Sequence, residues 1–422
     1  MPREPKVSGR LDTWKAIAAY LGRNARTAIR WEKQNGLPIH RIPGGTRQAV
    51  FAYCHEIDNW MKSGRVPIEP EGSGPEGLTS PDQSFASSIN VPSSAEVARA
   101  SFFVDDANTL WSSLSPMNLG MLAKSFREAI DIDPTNAEAF AGLSFTYLAG
   151  GVMGVHEIPF AYFSARAAIA RAVDLAPEHP EVLTAKAWLS LVLDKDQPRA
   201  RRDFEAARAL APILPPIHIG IAMSHLITGE SQNAFNILRD TLQHVPMNAP
   251  VISLLCWSAY LNGAYAKALS YIEDARLFGL SGPIVDAVEA LSLIHSVELS
   301  QSIPRIEAIA AGSMRPQLLQ GILGYALALS GERQRATEIL EAITSSSPSD
   351  HHDSAYTPAL AMIGLGNKKE AVSWLAKSYQ KGSLWSFGYR CDPVLKPLYG
   401  EPAFEEFLSE TYYPMPLDSL SN

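Results

Sequence analysis

The sequence predicts a mainly α protein: a small basic N-terminal module of short helices and a hairpin, followed by a long array of paired helices. Three observations predict it. The charge is split between the ends of the chain, a polar stretch separates them, and a 34-residue phase runs through the second part. Residues 1–65 hold 12 Lys+Arg and 5 Asp+Glu, while the rest of the chain carries a net charge of −15 within an overall −8. A basic head on an acidic body fits a nucleic-acid-binding module fused to a domain of another kind.

Residues 11–62 open with Trp14, Ile17, Ala18 and Leu21 at i, i+3, i+4 and i+7, one face of a helix that Gly22 stops. Asn24 caps a second helix over about Ala25–Gln34. Its basic side chains Arg26, Arg30 and Lys33 share a face away from Ala28 and Trp31. Gly36-Leu37-Pro38 ends it. Ile39–Ile42 and Arg47–Phe51 then flank Pro43-Gly44-Gly45-Thr46 as a hairpin, and a third helix, Tyr53–Met61, returns Ile57 and Trp60 to the core. Trp14, Trp31 and Trp60 are expected inside. On Trp14, Ala18, Leu21, Gly22, Thr27, Arg30, Trp31, Glu32, Gly36, Leu37 and Pro38 the module resembles the winged helix-turn-helix of the MerR and phage excisionase superfamily.

That resemblance implies double-stranded DNA as a partner. The expected contacts are Arg23, Asn24, Arg26, Thr27, Arg30 and Lys33 around the second helix, with Arg41 and Arg47 on the wing. Arginine reads guanine bidentately in the major groove, lysine neutralises phosphate, and a helix N-terminus favours an anion. One module of this size covers only about 600–1,000 Å² of DNA, so a dimer on DNA is expected.

Residues 63–95 are dense in Pro, Gly, Ser and Glu and are expected to form a flexible linker that lets the head move on its own. From 96 onward the pattern is helical. Turns fall at Pro134, Pro177, Pro212, Pro246 and Pro348, and a 34-residue phase links Pro212, Pro246, Leu280, Met314 and Pro348. Twelve residues before each turn stand Leu122, Ala165, Ala200, Ala234, Ala268, Ser302 and Ala336. Eight before stand Phe126, Ile169, Phe204, Leu238, Ile272, Ile306 and Leu340. Five before stand Ala129, Ala172, Ala207, Thr241, Ala275, Ile309 and Ile343. These lie along one helical face, where a small residue admits a neighbouring helix and a large one fills the groove. Phe140, Leu143 and Tyr147 supply the facing helix.

Over residues 96–383 this resembles the tetratricopeptide repeat, an α-α superhelical solenoid. The 43-residue step before Pro177 places nine extra residues around Gly150–Ile158, and the last pair shifts by one to Ala371, Leu375 and Ser378. Residues 384–422 are expected to cap the array, with Phe404, Phe407 and Leu408 as the capping face. A solenoid implies a protein or peptide partner on its concave face. Paired with the head, it resembles bacterial tetratricopeptide-containing transcriptional regulators; the alternative is a scaffold whose head contacts protein.

No catalytic or cofactor chemistry is expected. There is no phosphate-binding glycine loop, G-x-S-x-G or HExxH. His351-His352-Asp353 lacks a third metal ligand at helical spacing, and Cys54, His55 and Glu56 are neighbours that point apart on a helix. Cys54, Cys256 and Cys391 form no disulfide or metal framework and are expected as small buried apolar groups. With no apolar stretch near 18–20 residues and a polar start, no membrane contact and a cytoplasmic location are expected.

Overall fold

The computed structural model describes residues 10–11, 14, 17, 21, 25–41, 50–53, 56–57, 60, 92–156, 158–277, 279–314, 316–345 and 355–411. They fall into two compact units. The first comprises Met1–Ala107, Met121–Gly151 and His156–Pro177, and the second Asn108–Gly120, Val152–Val155 and Glu178–Asn422.

The first unit begins with β1 (Arg10–Leu11), α1 (Ala25–Asn35), β2 (His40–Arg41) and β3 (Val50–Tyr53). The strands form an antiparallel sheet in the order β1-β3-β2, with Arg41 opposite Val50 and Leu11 opposite Ala52. Neither β1 nor the strand state of Tyr53 was legible in the sequence: a two-residue strand has no alternation to read, and Tyr53, expected to start a helix, pairs with Arg10 instead. α1 ends where Gly36 adopts φ +66°, and the Leu37 N–H donates to the Trp31 carbonyl. The Trp60 indole N–H donates to the Asn35 carbonyl at 2.7 Å, satisfying a carbonyl at the helix end. Trp31 and Trp60 are buried with Ile17, Leu21 and Ile57, and Trp14 is half-buried against them.

α2 (Ser94–Trp111) starts at a reciprocal capping box. The Glu96 carboxylate accepts from the Ser93 N–H at 2.7 Å, and Ser93 Oγ accepts from the Glu96 N–H at 3.3 Å. α3 (Leu119–Ile132), α4 (Ala137–Val152) and α5 (Ile158–Leu175) follow. The extra residues foreseen near Gly150 lengthen α4 and form the turn at Gly154, where φ is +66°.

The second unit is an array of antiparallel pairs: α6 (Pro180–Val192) with α7 (Gln197–Leu210), α8 (Pro215–Ile227) with α9 (Ser231–His244), and α10 (Ala249–Leu261) with α11 (Tyr265–Leu277). It continues with α12 (Pro283–Ser296) and α13 (Leu299–Gly312), α14 (Pro316–Leu329) and α15 (Arg333–Ser345), and α16 (Tyr356–Leu365) and α17 (Lys368–Gln380). The second helices start at Gln197, Ser231, Tyr265, Leu299 and Arg333, 34 residues apart, and the last starts one residue late at Lys368. Proline at the first turn of α6, α8, α10 and α12 explains the start signal, since its missing N–H has no partner to lose there.

The seven residues twelve before each turn, Leu122 and the six small ones from Ala165 to Ala336, are all fully buried. Of the large ones, Phe126 to Ile306 are buried, but Leu340 is only half-buried, as are Ile309 and Ile343. The reason lies in α14 and α16. Gly321 sits against the Thr357 backbone and Gly324 against Ala361, so these two first helices touch each other directly. α15 is left outside that contact, with Ala336 its one buried residue.

Candidate functional site

In the N-terminal module the structure describes part of the expected DNA face. Arg30 and Lys33 are exposed on α1, three residues apart and therefore on one side of it. Arg26 and Thr27 lie within α1, but their side chains are outside the described set. So are Arg23, Asn24 and Arg47 altogether. Arg41 is exposed and is the last residue of β2; positions 42–49 that follow it lie outside the described residues. Its guanidinium reaches the Glu32 carboxylate at 2.5 Å, tying the hairpin to α1. Behind it, His40 Nε2 lies 2.5 Å from Glu56 and stacks on Phe51 at 5.0 Å. Glu56 is thus a partner of the hairpin; Cys54, His55, His351, His352 and Asp353 lie outside the described residues.

In the second unit the inner side of the array is not open where the sequence implies a peptide groove. First helices of successive pairs pack on one another more closely than second helices do, which places them on the inner side of the curve. Across α8, α10 and α16 runs the chain's own segment, two 3-10 turns at Leu384–Gly388 and Pro393–Leu398. Trp385 lies 5.3 Å from Trp257 and stacks on Tyr356 at 5.4 Å. A Cβ on Gly388 would stand 3.0 Å from the Trp257 ring, so the backbone of the segment approaches that ring closely. Trp385, Phe387, Tyr389, Val394, Leu395 and Leu398 are all buried. At about 1.5–3 kcal/mol for each such side chain, this segment is a fixed part of the core and not a displaceable plug. Over α8–α16 the chain's own segment therefore covers the surface where the sequence implies a peptide partner. The segment was foreseen as an end cap; that role falls to α18 (Pro402–Glu410), whose Phe404 and Leu408 are buried and whose Phe407 meets Tyr379 of α17 at 6.2 Å.

At the centre of this inner face stands Asp392, fully buried. Its carboxylate accepts from the Tyr260 hydroxyl at 2.8 Å, the Tyr356 hydroxyl at 2.9 Å and the Val394 N–H at 3.1 Å. Burial pushes this carboxyl above its ordinary range, and the three donors pull it part-way back. Burial also lowers Lys195, whose ammonium lies over the Tyr379 ring at 4.7 Å, to about 8. Cys256 and Cys391 are pushed up to about 12 by burial, in keeping with inert apolar packing. Nothing local in the sequence around Asp392 announces two tyrosines 132 and 36 residues away.

The outer edge offers a different feature. Leu210, Ile213, Met247, Leu277 and Met314 are each more than half exposed. All lie where a second helix hands over to the next pair. Outside the packed faces, a groove of about 490 Å³ opens between α14 and α15, lined by Leu323, Ile339, Ala342 and Ile343 with Gln317 and Gln320. Among the described residues no helix is long and apolar enough to cross a membrane, and no group of three or more metal-ligating side chains occurs.

These pairs define an α-α helical-repeat protein of the tetratricopeptide-like kind, with a 34-residue period. No family model matches the sequence, and no curated protein matches it. Among solved structures, the Cut9–Hcn1 hetero-tetramer of the APC/C is similar at 16% identity and a TM-score of 0.46, over 70% of this chain and 55% of that one. The chain thus spans little more than half the length of that relative. Yeast Tom70 is similar at 15% identity and a TM-score of 0.39, over 79% and 71% of the two chains. The tetratricopeptide domain of P58(IPK) is similar at 12% identity and a TM-score of 0.20, over 71% and 98%. The fold assignment rests on the helical pairs themselves.

Proposed function

We propose that this chain is a helical-repeat scaffold, without a reaction of its own, that binds a protein partner along the outer edge of its array. The side chains Ile213, Met247, Leu277 and Met314 carry this reading: one exposed apolar group stands at each of four successive handovers between pairs, with Ile213 and Met247 at the same position of the repeat. A succession of exposed apolar anchors along an array of helices suits the apolar stripe of an amphipathic helix from another protein. The test is selection of helical peptides on the full-length protein. Selected peptides should share an apolar stripe at helical spacing. The double variant Met247→Asp/Leu277→Asp should bind them at least about tenfold more weakly at unchanged helical content. Unchanged affinity in the variant would overturn the reading.

A second reading is favoured by Arg30 and Lys33, exposed together on α1 beside the β2–β3 hairpin. It makes the N-terminal module a winged helix-turn-helix that contacts double-stranded DNA, and the whole a DNA-binding regulator acting as a dimer. Each phosphate contact contributes about −0.9 to the log–log dependence of affinity on salt. The double variant Arg30→Ala/Lys33→Ala should weaken DNA binding at least about tenfold and flatten the salt slope by about one unit for each phosphate no longer neutralised. If the full-length protein is not retained on duplex DNA at low salt, this second reading fails and the scaffold reading stands alone.

A further inference from the structure

α5 buries an alanine stripe: Ala161, Ala165, Ala168 and Ala172 are all at most 1% exposed. Phe163 is not on that stripe. At about 100° per residue it points some 200° away from Ala161, to the opposite side of the helix. A phenylalanine there would stand in solvent if the array alone surrounded it. Instead it is 5% exposed, and the cluster that buries it is the core of the N-terminal module. Its ring lies 5.6 Å from that of Trp31 at an interplanar angle of 32°. Trp31, Leu37, Val50 and Trp60 belong to the same cluster. Ala167 and Ala170 share the outward side of α5 with Phe163 and are half-buried, so this side is apolar and small enough for another element to approach.

We infer that the N-terminal module is docked on α5, with Phe163 completing its core, so that module and helix are stabilised together. A module of about 50 residues buries too little apolar surface to be robust alone, and a large aromatic contributed from outside is a substantial share of so small a core. Trp31 stands between Arg30 and Glu32 on α1, and Glu32 holds Arg41. Docking through Trp31 therefore sets the orientation of the exposed basic side chains relative to α4 and α5. The tether alone does not.

Hydrogen exchange on the full-length protein tests this without reference to any ligand, so its outcome is independent of the DNA and scaffold readings. In Phe163→Ala, amides of α1, β2 and β3 should exchange at least about tenfold faster, while those of α4 and of α6–α17 keep their protection. Phe163→Leu, which restores most of the volume, should recover most of the protection in the module. Unchanged exchange in the module of Phe163→Ala would show that it folds without the contact and overturn the inference. Equal loss of protection throughout α4 and α5 would also overturn it, by making Phe163 an ordinary core residue of the array.

Discussion

Replacing Asp392 by alanine should destabilise the second unit by at least about 3 kcal/mol, read as a lower urea midpoint for the tryptophan fluorescence transition and as new proteolytic cleavage within 384–398. The substitution leaves the Tyr260 and Tyr356 hydroxyls and the Val394 N–H buried with no acceptor, and each such orphan costs about 1–3 kcal/mol. It also removes the group that joins the 3-10 segment to α10 and α16. Asp392→Asn should behave differently. Its amide oxygen keeps the bonds from Tyr260 and Val394, and its NH₂ donates to the Tyr356 hydroxyl, which accepts as readily as it donates.

The pair of variants also predicts a pH dependence. Burial, the largest influence, raises the Asp392 carboxyl above its ordinary value of 3.8. The folded state therefore holds this proton more tightly than the unfolded chain. That contribution to stability is fully present below about pH 4 and is lost as pH rises through the raised value. Relative to Asp392→Asn, which has no proton to lose, the wild-type protein should become steadily less stable from about pH 4 upward before levelling off. Parallel stability curves for the two proteins would show that the carboxyl titrates as it does in the unfolded chain.

Gly321→Ala should cost about 3 kcal/mol, at the upper end of what overpacking does, because the clash is with main chain. A methyl at Gly321 would run into the Thr357 carbonyl oxygen and stand 3.0 Å from its carbonyl carbon. A side chain can rotate away; a helix backbone cannot, so α14 and α16 must part. The same contact draws Gly364 against Ala328 and Tyr325, so the whole helix pair would shift. Gly120→Ala is the control. Nothing lies within 4 Å of its added carbon, and the change should stay within about 1 kcal/mol of neutral. Thermal melts of the two variants separate the readings: equal melting temperatures would mean that the α14–α16 approach is not tight in solution.

Much of this protein was legible in the amino-acid order. The 34-residue phase, the fully buried residues from Leu122 to Ala336 and the late start of α17 all follow from helical periodicity, which is a local property of the backbone. Gly36 as a helix stop and the tryptophans at 31 and 60 as core were legible for the same reason. The exposed Arg30 and Lys33 were readable as a pair on one face, whereas the ion pair of Arg41 with Glu32 was not, because the two lie on different elements. Three features were decided only by the path of the chain through space. The segment 384–398 fills the inner side of the array and meets tyrosines far away in sequence. Glycines on α14 and α16 draw those helices together, which leaves Leu340 and Ile343 half-exposed although their spacing matches that of buried positions. Phe163, off the stripe of its own helix, is buried by the N-terminal module. Periodicity tells which side of a helix is apolar. Which surface comes to cover that side depends on contacts between residues far apart in the chain, and no local pattern encodes them.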